Sequence, residues 1–136
     1  MKEITVDAIK ENVVAVTEFV ESELEMAGCP MKPMMQINVA IDEMYSNVSL
    51  YAYGDKSGKV TVKLDILSDP DRAVITFEDE GIPYNPLEKD DPDVTLSADE
   101  REIGGLGIFL VKKTMTDVLY EYKDGKNCLT LVKHFA

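Results

Sequence analysis

The sequence predicts an α/β protein of the α+β type, a two-layer sandwich in which three helices cover one face of a mixed, mostly antiparallel sheet. Helical and strand-like hydrophobic spacings follow one another in the order β-α-α-β-β-loop-α-β-β. Short turns join two pairs of neighbouring strands, which requires antiparallel pairing within each pair. With 45% hydrophobic residues in a chain of 136, we expect a single domain over residues 1–136 with one buried core.

Helical spacing of apolar residues predicts two helices in the first part of the chain. Asp7 is placed to cap the first helix, over about residues 8–27, and Gly28 is placed to end it. Pro33 suits the first turn of the second helix, which is expected to run to about residue 53. Each helix should bury its apolar stripe against the sheet.

Alternation of apolar and polar residues predicts two hairpins and places the third helix between them. Residues 59–67 and 72–79 form the first predicted hairpin, and residues 118–122 and 129–135 form the second. The third helix is expected over about residues 106–115.

A stretch at about residues 82–103 shows no hydrophobic period and holds several prolines and acids. Long loops without regular structure are uncommon in compact domains and are often functional lids. We therefore expect a lid here, with Lys89 and Arg101 as its basic residues.

The composition limits the partners and the compartment. A net charge of −12 disfavours nucleic acid and anionic membranes, which are bound by clustered Lys and Arg. Charges interrupt residues 1–20, and no apolar run is long enough to span a bilayer. Cys29, Cys128 and His134 show no metal-ligand spacing and are expected to be structural. We expect a cytoplasmic protein that binds neither nucleic acid directly nor a membrane.

Glu43 and Asn47 are four residues apart in the second predicted helix and therefore lie on one side of it. Helical spacing places that side at the edge of the apolar stripe. The pair is either a solvated helix edge or part of a site. In a site, Asn47 would offer Mg²⁺ a neutral oxygen, and Glu43 would accept a proton from an attacking hydroxyl or water.

Asp79 ends the strand at residues 72–79, on the same face as the apolar residues of that strand. A buried ionised carboxylate needs a partner, because leaving it unpaired is strongly unfavourable. That partner is a backbone N–H, a lysine, or an amino group of a ligand, such as the exocyclic amine of adenine. Gly81, two residues further on, would permit close approach of such a ligand.

The stretch Gly104, Gly105, Leu106 and Gly107 opens the third predicted helix. N–H groups at the positive end of a helix form a ready anion site. No Gly-Lys-Ser/Thr follows, as a P-loop would require, and no predicted strand directly precedes it, as a Rossmann motif would require. A plain structural turn is the alternative.

Taken together and in this order, the three motifs resemble those of the GHKL ATPase superfamily. The stretch EMYSN that starts at Glu43 resembles the N box, DEGIPYNP from Asp79 resembles the first glycine box, and GGLG from Gly104 resembles the second. The resemblance covers nearly the whole chain. The short length points to the branch of anti-sigma-factor serine kinases.

The resemblance implies a Bergerat-type fold that binds ATP and Mg²⁺. In such a fold Glu43 would be the general base and Asn47 the Mg²⁺ ligand. Asp79 would accept a hydrogen bond from the adenine amine, with Gly81 beneath the base. The residues that the resemblance places near the phosphates, under the lid, are Gly104, Gly105, Leu106, Gly107 and Arg101.

Several positions depart from the pattern of the family. Tyr51 stands where relatives often have histidine, Tyr84 and Asn85 replace Phe-Asp, and Thr116 stands where an acid is usual. None of these changes removes a residue with an implied nucleotide role. Arg101 either helps to neutralise phosphate or is a solvated partner of a neighbouring acid.

Members of this branch phosphorylate a serine on a STAS-type antagonist and sequester a sigma factor. The resemblance therefore implies an ATP-dependent serine/threonine protein kinase that regulates transcription by partner switching, often as a homodimer. Two alternatives stay open. The chain could be a non-catalytic ATP-binding module that acts by sequestering a partner, or a structural domain without a nucleotide.

Overall fold

A five-stranded sheet and three helices make up the computed structural model, which describes residues 1–54, 56–88 and 105–136. The strands are β1 (Lys2–Asp7), β2 (Lys59–Leu67), β3 (Arg72–Asp79), β4 (Asp117–Lys123) and β5 (Lys126–His134). The helices are α1 (Val13–Met26), α2 (Met31–Asn47) and α3 (Gly105–Thr114). A π-helical turn, Val48–Ala52, continues α2, and short 3-10 turns lie at Lys10–Asn12 and Pro86–Glu88.

The strand order is β1-β2-β3-β5-β4, and all four pairings are antiparallel. The predicted α+β class is confirmed, although the sheet is antiparallel rather than mixed. The reason is the path after β3. The chain crosses to the outer position as β4, and a tight turn then returns β5 between β4 and β3, so that β5 runs opposite to both.

The helices contact one face of the sheet, α1 at β2, α2 at β5 and α3 at β4. Inward side chains alternate along the central strands, as the sequence predicts. In β3, for example, Ala73, Ile75, Phe77 and Asp79 are buried, whereas the residues between them are partly exposed. Asp79 therefore continues the buried row of β3 up to the edge of the core.

The start of α1 differs from the prediction. Asp7 does not cap a helix, because it is the last residue of β1 and its Oδ1 lies 3.0 Å from Lys59 Nζ. Its carbonyl accepts a hydrogen bond of 2.9 Å from Asn12 Nδ2. This pairing holds the chain in a turn, and α1 begins only at Val13.

The second helix begins at Met31, with Pro33 in its first turn as predicted, and changes its winding before it ends. Regular α-helix stops at Asn47, and the π-helical turn then carries the chain to Ala52. Such turns are rare and frequently occur at functional sites.

The lid predicted at about residues 82–103 lies mostly outside the described residues, and the single-domain prediction stays a prediction. In the described ranges, no helix has both the length and the apolarity needed to cross a bilayer.

The Tyr45 hydroxyl joins α2 to the turn that follows β1. Tyr45 is 1% exposed, and its Oη lies 2.6 Å from the Ile9 carbonyl oxygen and 3.2 Å from that of Asp7. Burial, followed by the nearby Glu11 and Asp7 carboxylates, raises the pKa of this hydroxyl. The hydroxyl therefore stays protonated and donates to these carbonyls.

We expect Tyr45→Phe to lower the free energy of unfolding by about 1–2 kcal/mol, because the carbonyls lose a buried donor. Urea denaturation measures this change. Tyr122→Phe is the matched control, since Tyr122 is 47% exposed and its substitution should change stability by less than about 0.5 kcal/mol. Equal midpoints for the two variants would contradict the role assigned to the Tyr45 hydroxyl.

Candidate functional site

A small cavity of about 30 Å³ lies between α2 and the inward face of β3, β4 and β5. Its walls are mostly apolar, with Met44, Phe77 and Leu129 among them. The buried polar or charged residues of the described chain, Asn47, Asp79 and Asn127, all line this one cavity. Apolar walls with a few convergent polar groups are typical of ligand sites.

Asp79 is the acid of this cavity, and it is 5% exposed. Its Oδ1 accepts hydrogen bonds of 2.9 Å from the Gly81 N–H and 2.9 Å from Asn127 Nδ2. Among the described residues both bonds reach Oδ1, so Oδ2 is the oxygen that can accept from a ligand. Burial raises the pKa of Asp79, and these two hydrogen bonds counteract only part of that effect.

Asn127 holds Asp79 and the following loop together, a role that sequence analysis missed. Its Nδ2 donates to Asp79 Oδ1 and, over 2.8 Å, to the Ile82 carbonyl. Its Oδ1 accepts from the Tyr84 N–H over 3.1 Å and from the Tyr120 hydroxyl. Both donor hydrogens and both acceptor positions of the amide are thus in use.

The sequence does contain a pattern that indicates a buried, hydrogen-bonded role for Asn127. Asn127 shares the inward row of β5 with Leu129 and Leu131, which are both buried. A polar residue in such a row requires partners within the protein. The partner Asp79 lies directly opposite in the β3–β5 register, which the sequence pattern alone does not specify.

Gly81 lies where the loop after β3 touches the π-helical turn. A Cβ at this position would overlap the Ala52 carbonyl group. The next residue, Ile82, donates its N–H to the same carbonyl oxygen over 2.8 Å. Close packing of two backbones explains the glycine here, and the predicted position of Gly81 beneath a ligand stays a prediction.

Glu43 and Gly107 bring α2 and the first turn of α3 into contact. A Cβ on Gly107 would overlap the Glu43 carboxylate. Asn47, one turn after Glu43, donates its Nδ2 to the Glu43 carbonyl over 2.8 Å. The amide nitrogen is therefore used by the helix backbone, and the amide oxygen is the group that Asn47 can offer to a ligand.

The predicted phosphate end is only partly described. Gly105, Leu106 and Gly107 form the start of α3, where backbone N–H groups have no partner within the helix. These groups and the helix dipole favour negative charge at this point, where the Glu43 carboxylate lies. Gly104 and Arg101 lie outside the described residues.

A metal ion would not find a ready protein cage in the described ranges, where no three His, Cys, Asp or Glu residues cluster. Mg²⁺ typically takes one or two protein oxygens and completes its shell with water and phosphate oxygens. The Asn47 amide oxygen is of the right chemical type for such a ligand.

The chain matches a known protein family. Residues 6–133 match the model of the family described as "Histidine kinase-like ATPase domain". This match includes the motifs at Glu43, Asp79 and Gly104.

Among curated relatives, the serine/threonine-protein kinase BtrW of Bordetella bronchiseptica is 26% identical over 100 residues, which are 74% of this chain and 70% of that protein. The serine-protein kinase RsbW of Listeria monocytogenes is 29% identical over 104 residues, 73% of this chain and 65% of the relative. RsbW of Staphylococcus aureus is 25% identical over 141 positions, 97% of this chain and 85% of the relative. The matches to BtrW and to Listeria RsbW thus span about two thirds of each relative's length.

The family match covers nearly the entire chain, from residue 6 to residue 133. From the matched range, the chain belongs to the histidine kinase-like ATPase domain family, the GHKL type that its motifs resemble.

Proposed function

We propose that the chain is an ATP- and Mg²⁺-dependent serine/threonine protein kinase of the anti-sigma-factor type. It would phosphorylate a serine on a STAS-type antagonist in the cytoplasm and sequester a sigma factor, acting as a homodimer. The observation that carries the proposal is the contact between the Glu43 carboxylate and Gly107. This contact would put a proton acceptor, Glu43, beside the N-terminus of α3, where phosphate oxygens would bind. A kinase needs both groups close together.

The residues present fit an adenine nucleotide. Asp79 would accept a hydrogen bond from the adenine amino group at Oδ2, since the bonds from Gly81 and Asn127 go to Oδ1, and the mostly apolar cavity walls would contact the base. The start of α3 offers N–H groups to phosphate oxygens. Bound Mg²⁺ would supply charge neutralisation at the phosphates, and Asn47 would be its protein ligand.

The catalytic role that follows for Glu43 is that of a general base. Phosphoryl transfer depends mainly on positioning and on charge stabilisation. Glu43 would accept the proton of the attacking serine hydroxyl, and the amides of the first turn of α3 would hold the phosphate oxygens. Asp79 would orient the base and so fix the position of the nucleotide.

One observation favours a second function, that of a non-catalytic ATP-binding module. Within the described part of α3, the basic residues Lys112 and Lys113 lie in the last turn, away from Gly107. Within this described part of the chain, α3 therefore brings no lysine to Gly107 that would stabilise the charge of a transition state. The relatives are named as kinases, which favours the first function.

Transfer of labelled γ-phosphate to a purified STAS-domain protein tests the proposal. Binding of ATP and Mg²⁺ by calorimetry, measured in parallel, separates the two functions. Transfer establishes the kinase. Binding without transfer to any STAS substrate would establish the non-catalytic module instead.

We expect Glu43→Gln to reduce phosphate transfer by about 10²–10⁴-fold and to leave ATP affinity within about threefold, because Gln cannot accept the proton. Asp42→Asn is the matched control. It removes the same charge from the neighbouring exposed position of α2 and should keep full transfer. Transfer by Glu43→Gln at the wild-type rate would exclude Glu43 as the base.

Gly107→Ala should leave the free energy of unfolding within about 1 kcal/mol of wild type, because the flexible Glu43 side chain can swing away from the new methyl group. Transfer should fall by about 10²-fold, since the displaced carboxylate no longer meets the substrate hydroxyl. A double variant with Glu43→Gln should be no slower than Glu43→Gln alone. Additive losses in the double variant would show that Gly107 acts independently of Glu43.

Asp79→Asn should change the pH dependence of stability and, separately, weaken ATP binding. Because the folded-state pKa of Asp79 is raised, the folded protein holds its proton more tightly, and stability falls as pH rises from about 4 up to that raised value. Asn carries no such charge, so its stability relative to wild type should increase over this window and then level off. Urea denaturation across pH measures the difference.

The same variant should bind ATP about tenfold to a hundredfold more weakly, because an amide N–H replaces the oxygen that accepts from the ligand. Asp65→Asn, which removes an equal charge from the outward face of β2, is the control and should bind normally. Normal ATP affinity of Asp79→Asn would contradict the assignment of Asp79 to the base.

A further inference from the structure

The cavity at Asp79 is much smaller than a nucleobase pocket. Its volume of about 30 Å³ accommodates about two water molecules, whereas pockets for small ligands measure roughly 300–1,000 Å³. Tyr84 and Pro86, from the segment after β3, form part of its wall. A base can therefore reach Asp79 only after part of this wall moves.

The backbone of that segment is tied down at several points. Ile82 donates its N–H to the Ala52 carbonyl over 2.8 Å and accepts from Asn127 over 2.8 Å. The Tyr84 N–H is bonded to Asn127 Oδ1, and the Leu87 N–H donates to Asn85 Oδ1 over 2.9 Å. The bonds to Ala52 and Asn127 hold the backbone up to residue 84, so the Tyr84 side chain is the part of the wall that can turn while this backbone stays in place.

The Tyr84 ring packs on the outside against Tyr51. The two ring centroids are 5.5 Å apart, and the ring planes are tilted by 38°. Tyr51 belongs to the π-helical turn, is 40% exposed, and is not among the residues that line the cavity. It therefore acts on the cavity through Tyr84 and not by touching its contents.

We propose that the Tyr51–Tyr84 ring pair is the gate of this cavity, and that its opening sets the rate at which the adenine base enters. The proposal rests on nucleotide binding at Asp79, the proposed function above. Gating by a small moving element commonly limits ligand exchange in enzymes. Here the moving element is one side chain, and Tyr51 holds it in the closed position.

Stopped-flow fluorescence with a ribose-labelled (mant) ATP and Mg²⁺ tests the gate. Tyr51→Ala removes the outer ring without removing a cavity wall. We expect association to accelerate by about twofold to tenfold, the factor that corresponds to the ~0.5–1.5 kcal/mol of such a ring pair. Dissociation should change little, because the Tyr84 ring cannot return to its closed position while the base fills the cavity, so the affinity should rise by about the same factor as the association rate.

Two variants serve as matched controls. Tyr51→Phe keeps the ring and should show wild-type rates, which separates the ring from the hydroxyl. Leu50→Ala truncates the neighbouring residue of the same turn, which is 64% exposed, and should also show wild-type rates.

Each outcome decides the proposal. Faster association in Tyr51→Ala, with dissociation little changed and with neither control accelerated, supports the gate. An unchanged association rate, a change in dissociation only, or equal acceleration in Tyr51→Phe would overturn the gate while leaving nucleotide binding in place. Failure of the wild-type protein to bind the labelled ATP, checked by calorimetry with ATP itself, would overturn the gate and the proposed function together.

Discussion

The Asp79 carboxylate is 5% exposed at the end of β3, and the arrangement around it follows from the need to keep an acid there. Hydrogen bonds from Gly81 and Asn127 satisfy one oxygen, yet burial still holds its pKa above the ordinary range. A neutral residue of similar shape would cost the fold less, since buried charges seldom add stability. In the proposed function the acid serves nucleotide binding, so stability and function would compete at this position.

Besides the buried Asp79 carboxylate, the site requires two close contacts at glycines. Both contacts are made by α2 and the turn that continues it. Glu43 and Asn47 lie on α2, and the π-helical turn that continues it presents the Ala52 carbonyl to Gly81. At one end, Gly107 of α3 leaves room for the Glu43 carboxylate. At the other end, Gly81 leaves room for the backbone of the π-helical turn at Ala52. Both close contacts depend on glycines, which lack a side chain. As a result, α3 and the loop after β3 are both positioned against α2 and the turn that continues it.

Much of the fold can be predicted from the sequence, because a sheet with one buried face has strands in which apolar and polar residues alternate. The predicted bounds of β2 and β3, residues 59–67 and 72–79, agree with the structure. The start of α1 was not accessible, because Asp7 pairs with Lys59, a partner remote in sequence. The role of Asn127 was missed for the same reason, since its position opposite Asp79 depends on the return of β5 beside β3. Local patterns do not encode such contacts.

The complete use of the Asn127 amide has a consequence for how this sequence can evolve. Aspartate at 127 would lose both donors, and threonine or serine would have too few groups for four partners. Substitution at 127 alone therefore leaves a buried polar group without a partner, whether at Asp79, at Tyr120 or in the backbone of residues 82–84. Viable descendants must change residue 127 together with residue 120 or with the loop, so these positions drift as a linked set.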